Sequence, residues 1–210
     1  MSDLINGAEQ LARARHEGQF QKGKPKESYV VHLEEVANLS KKWGAQKDVI
    51  AAAWLHNIVE DCPPTSLDEI ATLFGNTVGS IVSERTDHKT LPKAKWKQKQ
   101  IDDAPKKSIN ASLLILDGKT SNIGAMVHSP PTYWPLGRQL EYVRWPYELV
   151  RPLPYISAEA LSEFSGLYDQ AELKGFYDLG TLPPAQKYPC ASSNVAKKYW
   201  GSDQHLWLGK

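Results

Sequence analysis

Cysteine is scarce: of 210 residues only Cys62 and Cys190 carry a thiol. They show no paired metal-ligand spacing, so neither a disulfide scaffold nor a zinc ribbon is supported. Net charge is scarce as well, since 25 Lys and Arg face 24 Asp and Glu. Without a global basic field, nucleic acid is not an expected partner. No run of about 18 apolar residues occurs, and Met1-Ser2-Asp3 opens without a basic or apolar leader. No membrane association is therefore expected, and the protein is expected to be soluble and cytoplasmic. Repeats and low-complexity tracts are lacking too, so the length suits one domain with room for an appendage.

What is present is a dense chemical stretch from Asp48 to Pro64, centred on Ala51-Ala52-Ala53-Trp54-Leu55-His56-Asn57-Ile58-Val59-Glu60-Asp61. Three alanines and Leu55 favour helix, Asp48 suits the N-cap, and Pro63-Pro64 forbid continuation. On such a helix His56 lies one turn before Glu60, and Asn57 one turn before Asp61. Charged groups beside the apolar Leu55, Ile58 and Val59 are costly to bury unless they bind a metal, a substrate or one another. The competing reading is a solvated helix end.

The flanking chain reads as helices. Leu4, Ile5, Ala8, Leu11 and Ala12 have helical spacing, and a loop with Lys22, Gly23, Lys24 and Pro25 follows, either solvated or in contact with phosphate. A second helix from Ser28 to Trp43 stops at Gly44, with His32, Val36, Leu39 and Trp43 on its inner stripe. A lone histidine on such a stripe is more often a hydrogen-bonded core residue than a ligand. Ser66 and Glu69 make a capping box for a helix ending at Phe74-Gly75, and another spans Asn76 to Arg85 with Val78, Ile81 and Val82 inward. Trp96 among lysines reads as a helical or mobile cover. Leu113 to Leu116 fits strand or helix by periodicity, and its helical neighbours favour helix.

The order His16-x-x-Gln19, Tyr29-x-x-His32, Ala-Ala-Trp-Leu-His56-Asn57-Ile-Val-Glu60-Asp61, Phe74-Gly75, Thr86-Asp87 and Lys119-x-x-Asn122 resembles the HD-domain hydrolases of the RelA/SpoT type. It is most similar to their small stand-alone members, from about Leu4 to Val150, including Arg138, Tyr142 and Trp145. The resemblance implies an all-α HD-domain helical bundle over residues 1–151. It further implies a divalent metal, typically Mn2+, and removal of the 3′-pyrophosphate of (p)ppGpp or the 2′-phosphate of NADPH. By the same resemblance His32 and His56 take metal-ligand positions, while Glu60 and Asp61, with His56, take the catalytic ones that orient or activate water. Lys22, Lys119, Asn122, Arg138 and Tyr142 fall where relatives contact phosphate, ribose or base.

Several positions depart from that pattern. Asn57 replaces the aspartate of the His-Asp pair, and Gly118 replaces a second aspartate, with Asp117 displaced by one residue. Two formal negative charges are lost from the inherited metal shell, so affinity should fall by orders of magnitude unless Asn57 or a rearranged Asp117 substitutes. A one-residue displacement turns a helical side chain by about 100°. Gln21 stands where a basic residue usually precedes the loop lysine, Leu33 where proline commonly follows the first histidine, and Pro146 should kink the helix carrying Arg138 and Tyr142.

Beyond Arg151 the resemblance ends, leaving residues 152–210 as a C-terminal extension. Ser157 suits the cap of a helix with Leu161, Phe164, Leu167 and Tyr168 inward. Gly175 to Lys210 is rich in Tyr, Trp, Pro and Gly, which is not the composition of a disordered tail. It is expected to wrap the bundle, pack across a homo-oligomer interface, or close one side of the pocket. Three functions follow: a metal-dependent phosphohydrolase, an HD-fold enzyme repurposed for metal-free acid-base chemistry with Glu60 or Asp61, and a non-catalytic protein binding a small phosphorylated molecule.

Overall fold

The computed structural model describes residues 3–22, 27–86, 91–154 and 156–178, from 174 onward for the backbone alone. The all-α expectation holds: the described residues form helices, with one isolated antiparallel bridge, Phe20 to Ser28, and no sheet. Helix α1 is Asp3–Arg15, α2 Val30–Lys42, α3 Lys47–Leu55, α4 Ile58–Asp61 and α5 Leu67–Phe74. Then come α6 Asn76–Arg85, α7 Lys93–Asp103, a 3-10 turn Ala104–Lys106, α8 Ile109–His128, α9 Leu136–Val150 and α10 Ala158–Asp178.

Helix α3 is buried at every position from Val49 to Leu55, and α1, α2, α6 and α8 pack around it. A helix apolar on all sides is stable only as the axis of such a bundle. Its start corrects the expected cap: Gln46 is the N-cap, and Asp48 lies in the first turn, where its charge suits the helix dipole. It also stops earlier than expected. His56 and Asn57 break the helix, Asn57 at φ −110° and ψ −1°, and the short α4 resumes at Ile58, with Asp61 N donating to Asn57 O at 2.9 Å. Ser66 Oγ accepts from Glu69 N at 3.1 Å, as the capping box requires, and Gly75 at φ +91° joins α5 to α6 where a side chain would be strained.

At 20 residues, α8 is about 30 Å long and joins two cores. Leu114 belongs to the first, with α1, α2, α3 and α6, while Leu116, Ile123 and Met126 belong to the second, with α9 and α10. The Leu113–Leu116 run is thus helical, and α9 passes through Pro146 as one helix. Trp96 of α7 meets Trp145 of α9 edge-on, at 5.7 Å between centroids, which makes α7 a helical cover. Ser157 Oγ does accept from Ala160 N at 3.1 Å, but the inner face of α10 is shifted. Ala160, Phe164 and Ala171 are buried, Leu167 and Tyr168 pack beside them, and Leu161 is exposed, because the buried positions follow an i, i+4, i+7 stripe beginning at Ala160. The Thr86-Asp87 motif is described only at Thr86, and of the aromatic expectations the Tyr177 side chain and all of Tyr188, Tyr199, Trp200 and Trp207 lie outside what is described.

Candidate active site

Two histidines meet where α2 crosses the end of α3, their rings 5.2 Å apart and nearly perpendicular. His56 Nδ1 donates to Ala53 O at 2.7 Å, which places its proton on that nitrogen. Ser121 Oγ donates its single hydrogen to Glu35 at 2.7 Å, so it accepts from His32 Nδ1 at 2.9 Å. Both Nε2 atoms are therefore lone pairs, and that of His56 is buried without a partner. Burial, then the charges of Arg85 and Lys119, hold the pKa of His32 down to about 3. His56 is driven well below its ordinary value by burial, His32 and Arg85. Both rings are neutral at physiological pH.

A cavity of about 720 Å³ opens over this pair, between the α1–α2 loop, α2, α8, α9 and α10. It gathers five of the sequence-predicted residues: His32 and Asn57 with Lys22, Asn122 and Tyr142. His56 stands behind His32, outside the lining. Glu60 and Asp61 are half-buried on α4 and also lie outside it. Lys119 is buried with its Nζ 4.1 Å from the Trp145 ring, and exposed Arg138 stacks at 4.2 Å on Trp134, which does line the cavity.

The donors present do not fit a divalent metal. Asn57 Nδ2 donates to the Tyr29 hydroxyl. Asp117 turns away: its Oδ2 accepts from Ser40 Oγ at 2.6 Å, and Ser40 lies eight residues beyond His32, about 12 Å along α2. Among the described residues no group of three or more His, Cys, Asp or Glu side chains is placed to hold a metal ion. A Cβ at Gly118 would meet only Arg85 Nη2, at 3.8 Å. At an effective dielectric of about 20, a divalent ion about 5 Å from a unit positive charge is repelled by on the order of 6 kcal/mol.

Sequence reasoning missed Arg85, although a signal was available. Val78, Ile81, Val82 and Arg85 form one inward helical stripe, and a charge closing an apolar stripe is a buried charge. It also missed the Ser121–Glu35 relay behind His32 and the Tyr29 ring, tilted against His32 at 5.7 Å. The His16-x-x-Gln19 motif proves to be a brace. His16 Nδ1 meets Gln19 Oε1 at 2.8 Å, and Gln19 Nε2 donates to Asp61 O at 3.0 Å, so the loop bearing Lys22 is tied to α4.

The all-helical bundle and its paired histidines define an HD-type protein, and residues 8–113 match the family model described as HD domain. A guanosine-3′,5′-bis(diphosphate) 3′-pyrophosphohydrolase MESH1 from Xenopus tropicalis is 38% identical over 152 residues, covering 71% of this chain and 84% of that protein. The human MESH1 is 32% identical over 174 residues, covering 82% and 96%. A structure described as a metazoan ortholog of SpoT that hydrolyses ppGpp superposes with a TM-score of 0.72 at 29% identity, covering 87% of this chain and 98% of that one. The chain belongs to the HD-domain hydrolases of the RelA/SpoT type, and within them it is similar to the MESH1 group.

Proposed function

We propose that the chain acts on a small phosphorylated nucleotide of the (p)ppGpp or NADPH class as an HD-type phosphohydrolase. The observation that carries this reading is the 720 Å³ cavity whose wall joins His32 and Asn57 to Lys22, Asn122 and Tyr142 within that family's fold. Its volume suits a nucleotide-sized ligand. In this reading Lys22 and Asn122 hold phosphate and ribose, and the Tyr142 ring flanks the base. Arg138 on its Trp134 shelf and Lys119 behind the wall add positive charge. Neutral His32 accepts a hydrogen bond from the attacking water at Nε2. His56 holds the His32 ring in place from behind; Glu60 and Asp61, on α4 outside the cavity lining, are assigned proton transfer by the family resemblance, and Gln19 ties Asp61 O to the Lys22 loop. Beyond residue 152, helix α10 contributes Glu163 and Leu167 to the cavity wall.

The donor set derived above admits no step through a metal, so each of these roles belongs to the chain itself. Release of pyrophosphate from ppGpp, or of phosphate from NADPH, by purified protein tests the proposal. Glu60→Gln together with Asp61→Asn is expected to lower turnover by ~100-fold or more. No product from either substrate, with intact folding, would falsify the hydrolytic reading. One observation favours a second reading: Asn57 is occupied by Tyr29 and Asp117 by Ser40. That arrangement suits a site that binds the nucleotide without turnover, seen as a rise in melting temperature with no product.

A further inference from the structure

We propose that Arg85 is the site's resident cation, occupying the electrostatic place of a divalent metal and giving the cavity metal-independent affinity for a phosphoryl group. The inference rests on the cavity being a site for a phosphorylated ligand. It begins with a side chain that the bundle has no internal use for. Arg85 is the last residue of α6, only 8% exposed, and its Nε has no partner. No hydrogen bond or ion pair to its guanidinium is found among the described residues. A buried, unpaired charge is among the most costly groups a core can hold, and such charges persist where they meet a counter-ion.

Its position identifies the counter-ion. A Cβ at Gly118 would stand in ordinary van der Waals contact with the guanidinium, whose Nη2 lies 3.8 Å away, so a longer side chain there would meet it. Gly118 and Arg85 are thus neighbours across the contact between α8 and α6. The guanidinium's charge is felt by His32 and His56 and by the rings of Tyr29 and Tyr142. Three of these, His32, Tyr29 and Tyr142, line the cavity; Arg85 is not itself in the lining, and its charge reaches the cavity through them.

Formal charge then decides what the floor attracts. In the resembled family a divalent cation beside two aspartates leaves those three groups neutral together. Here Asn57 and Gly118 bring no charge, while Arg85 brings a positive charge beside Gly118, with Lys119 behind the same wall and the Glu35 carboxylate beyond Ser121. The space left by the two aspartates therefore has a cation beside it before any ion arrives. It repels a metal and attracts an anion, and a delocalised guanidinium, permanently charged, keeps that property at every physiological pH. The unpartnered Nε2 of His56 fits the same account, because a neutral lone pair tolerates an adjacent cation.

Inorganic pyrophosphate is the probe, titrated calorimetrically into full-length protein in EDTA and again after metal loading with manganese. Expected are binding in EDTA and less than a twofold change with manganese. Arg85→Met should weaken binding at least tenfold, and Arg85→Lys should retain part of it. Because Met removes an unpaired buried charge at similar volume, Arg85→Met should also raise the ligand-free melting temperature by ~3 °C or more. A merely structural arginine would lower it. The triple variant Asn57→Asp, Gly118→Asp and Arg85→Val, which adds two carboxylates and removes the cation, should gain manganese, read by the spin resonance of the free ion.

No pyrophosphate binding in EDTA, binding that requires manganese, or a folded Arg85→Met protein with undiminished affinity would each overturn the inference. These readouts need no turnover. Metal-free, Arg85-dependent pyrophosphate binding without hydrolysis of any nucleotide defeats the hydrolytic reading alone. Manganese-dependent turnover indifferent to Arg85→Met defeats this inference alone.

Discussion

Asp117, one residue before the inherited ligand position at Gly118, shows at the scale of one residue how burial turns a carboxylate into a stability term. Its Oδ2 accepts from Ser40, its Oδ1 has no partner, and burial raises its pKa to about 7, partly opposed by the Ser40 bond. The native state therefore holds this proton more tightly than the unfolded chain. Its contribution to stability is full below the unfolded value near 4 and falls away as pH rises toward 7. Asp117→Asn, which cannot ionise, should gain on the natural protein by on the order of 3 kcal/mol between pH 4 and pH 7, then level off. Urea melts at pH 4.5, 6 and 8 measure that difference, and a constant difference would show that Asp117 is ionised in the fold. The buried histidines act in the opposite sense: with native pKa values depressed, they lose stability as pH falls through about 6.5. Neither effect is legible in sequence, because both depend on which neighbours desolvate the group.

At the scale of elements, the joint between α5 and α6 is set by close approach. A Cβ at Gly79 would lie 2.9 Å from Ala71 Cβ and 3.1 Å from Ala71 Cα, nearer than packed carbons allow. Glycine there lets two short helices touch backbone to backbone. Gly79→Ala should cost about 1–3 kcal/mol despite alanine's better helix propensity, lowering the melting temperature by several degrees. Recovery in the double variant with Ala71→Gly is the check on mechanism. The cap at Ser66 and the stop at Gly75 were readable locally, since a capping box and a positive φ need only neighbouring residues. The break after Leu55 was not. It arises because His56 bonds back to Ala53 O and Asn57 is drawn to Tyr29, a residue of another segment.

At the scale of the molecule, α10 is part of the bundle and of the cavity wall. Phe164 is 1% exposed in the second core, while Glu163 and Leu167 on the same helix face the cavity. Arg144 of α9 holds Glu172 at 3.0 Å, a half-buried tie between the two helices. Phe164→Ala should destabilise the whole chain by about 3–5 kcal/mol, whereas Leu161→Ala, at a position 41% exposed, should change it by less than ~0.5 kcal/mol. Equal losses at the two sites would refute the packing described here. The two cores share α8, so unfolding is expected to be a single transition seen alike by fluorescence and by circular dichroism.

The sequence by itself determined that the chain is helical and where most helices begin and end, and its resemblance to the HD-domain hydrolases implied metal-ligand positions at His32 and His56. The helices follow from propensities, caps and spacings that neighbouring residues specify. It also determined that two inherited acidic positions had become Asn57 and Gly118. Only the tertiary structure decided what those changes mean: Asp117 bonds to Ser40, Asn57 to Tyr29, and Arg85 enters the space beside Gly118. The reason is physical. A side chain's charge state and reach are fixed by groups brought to it from 28 to 77 residues away, and no local pattern encodes that distance.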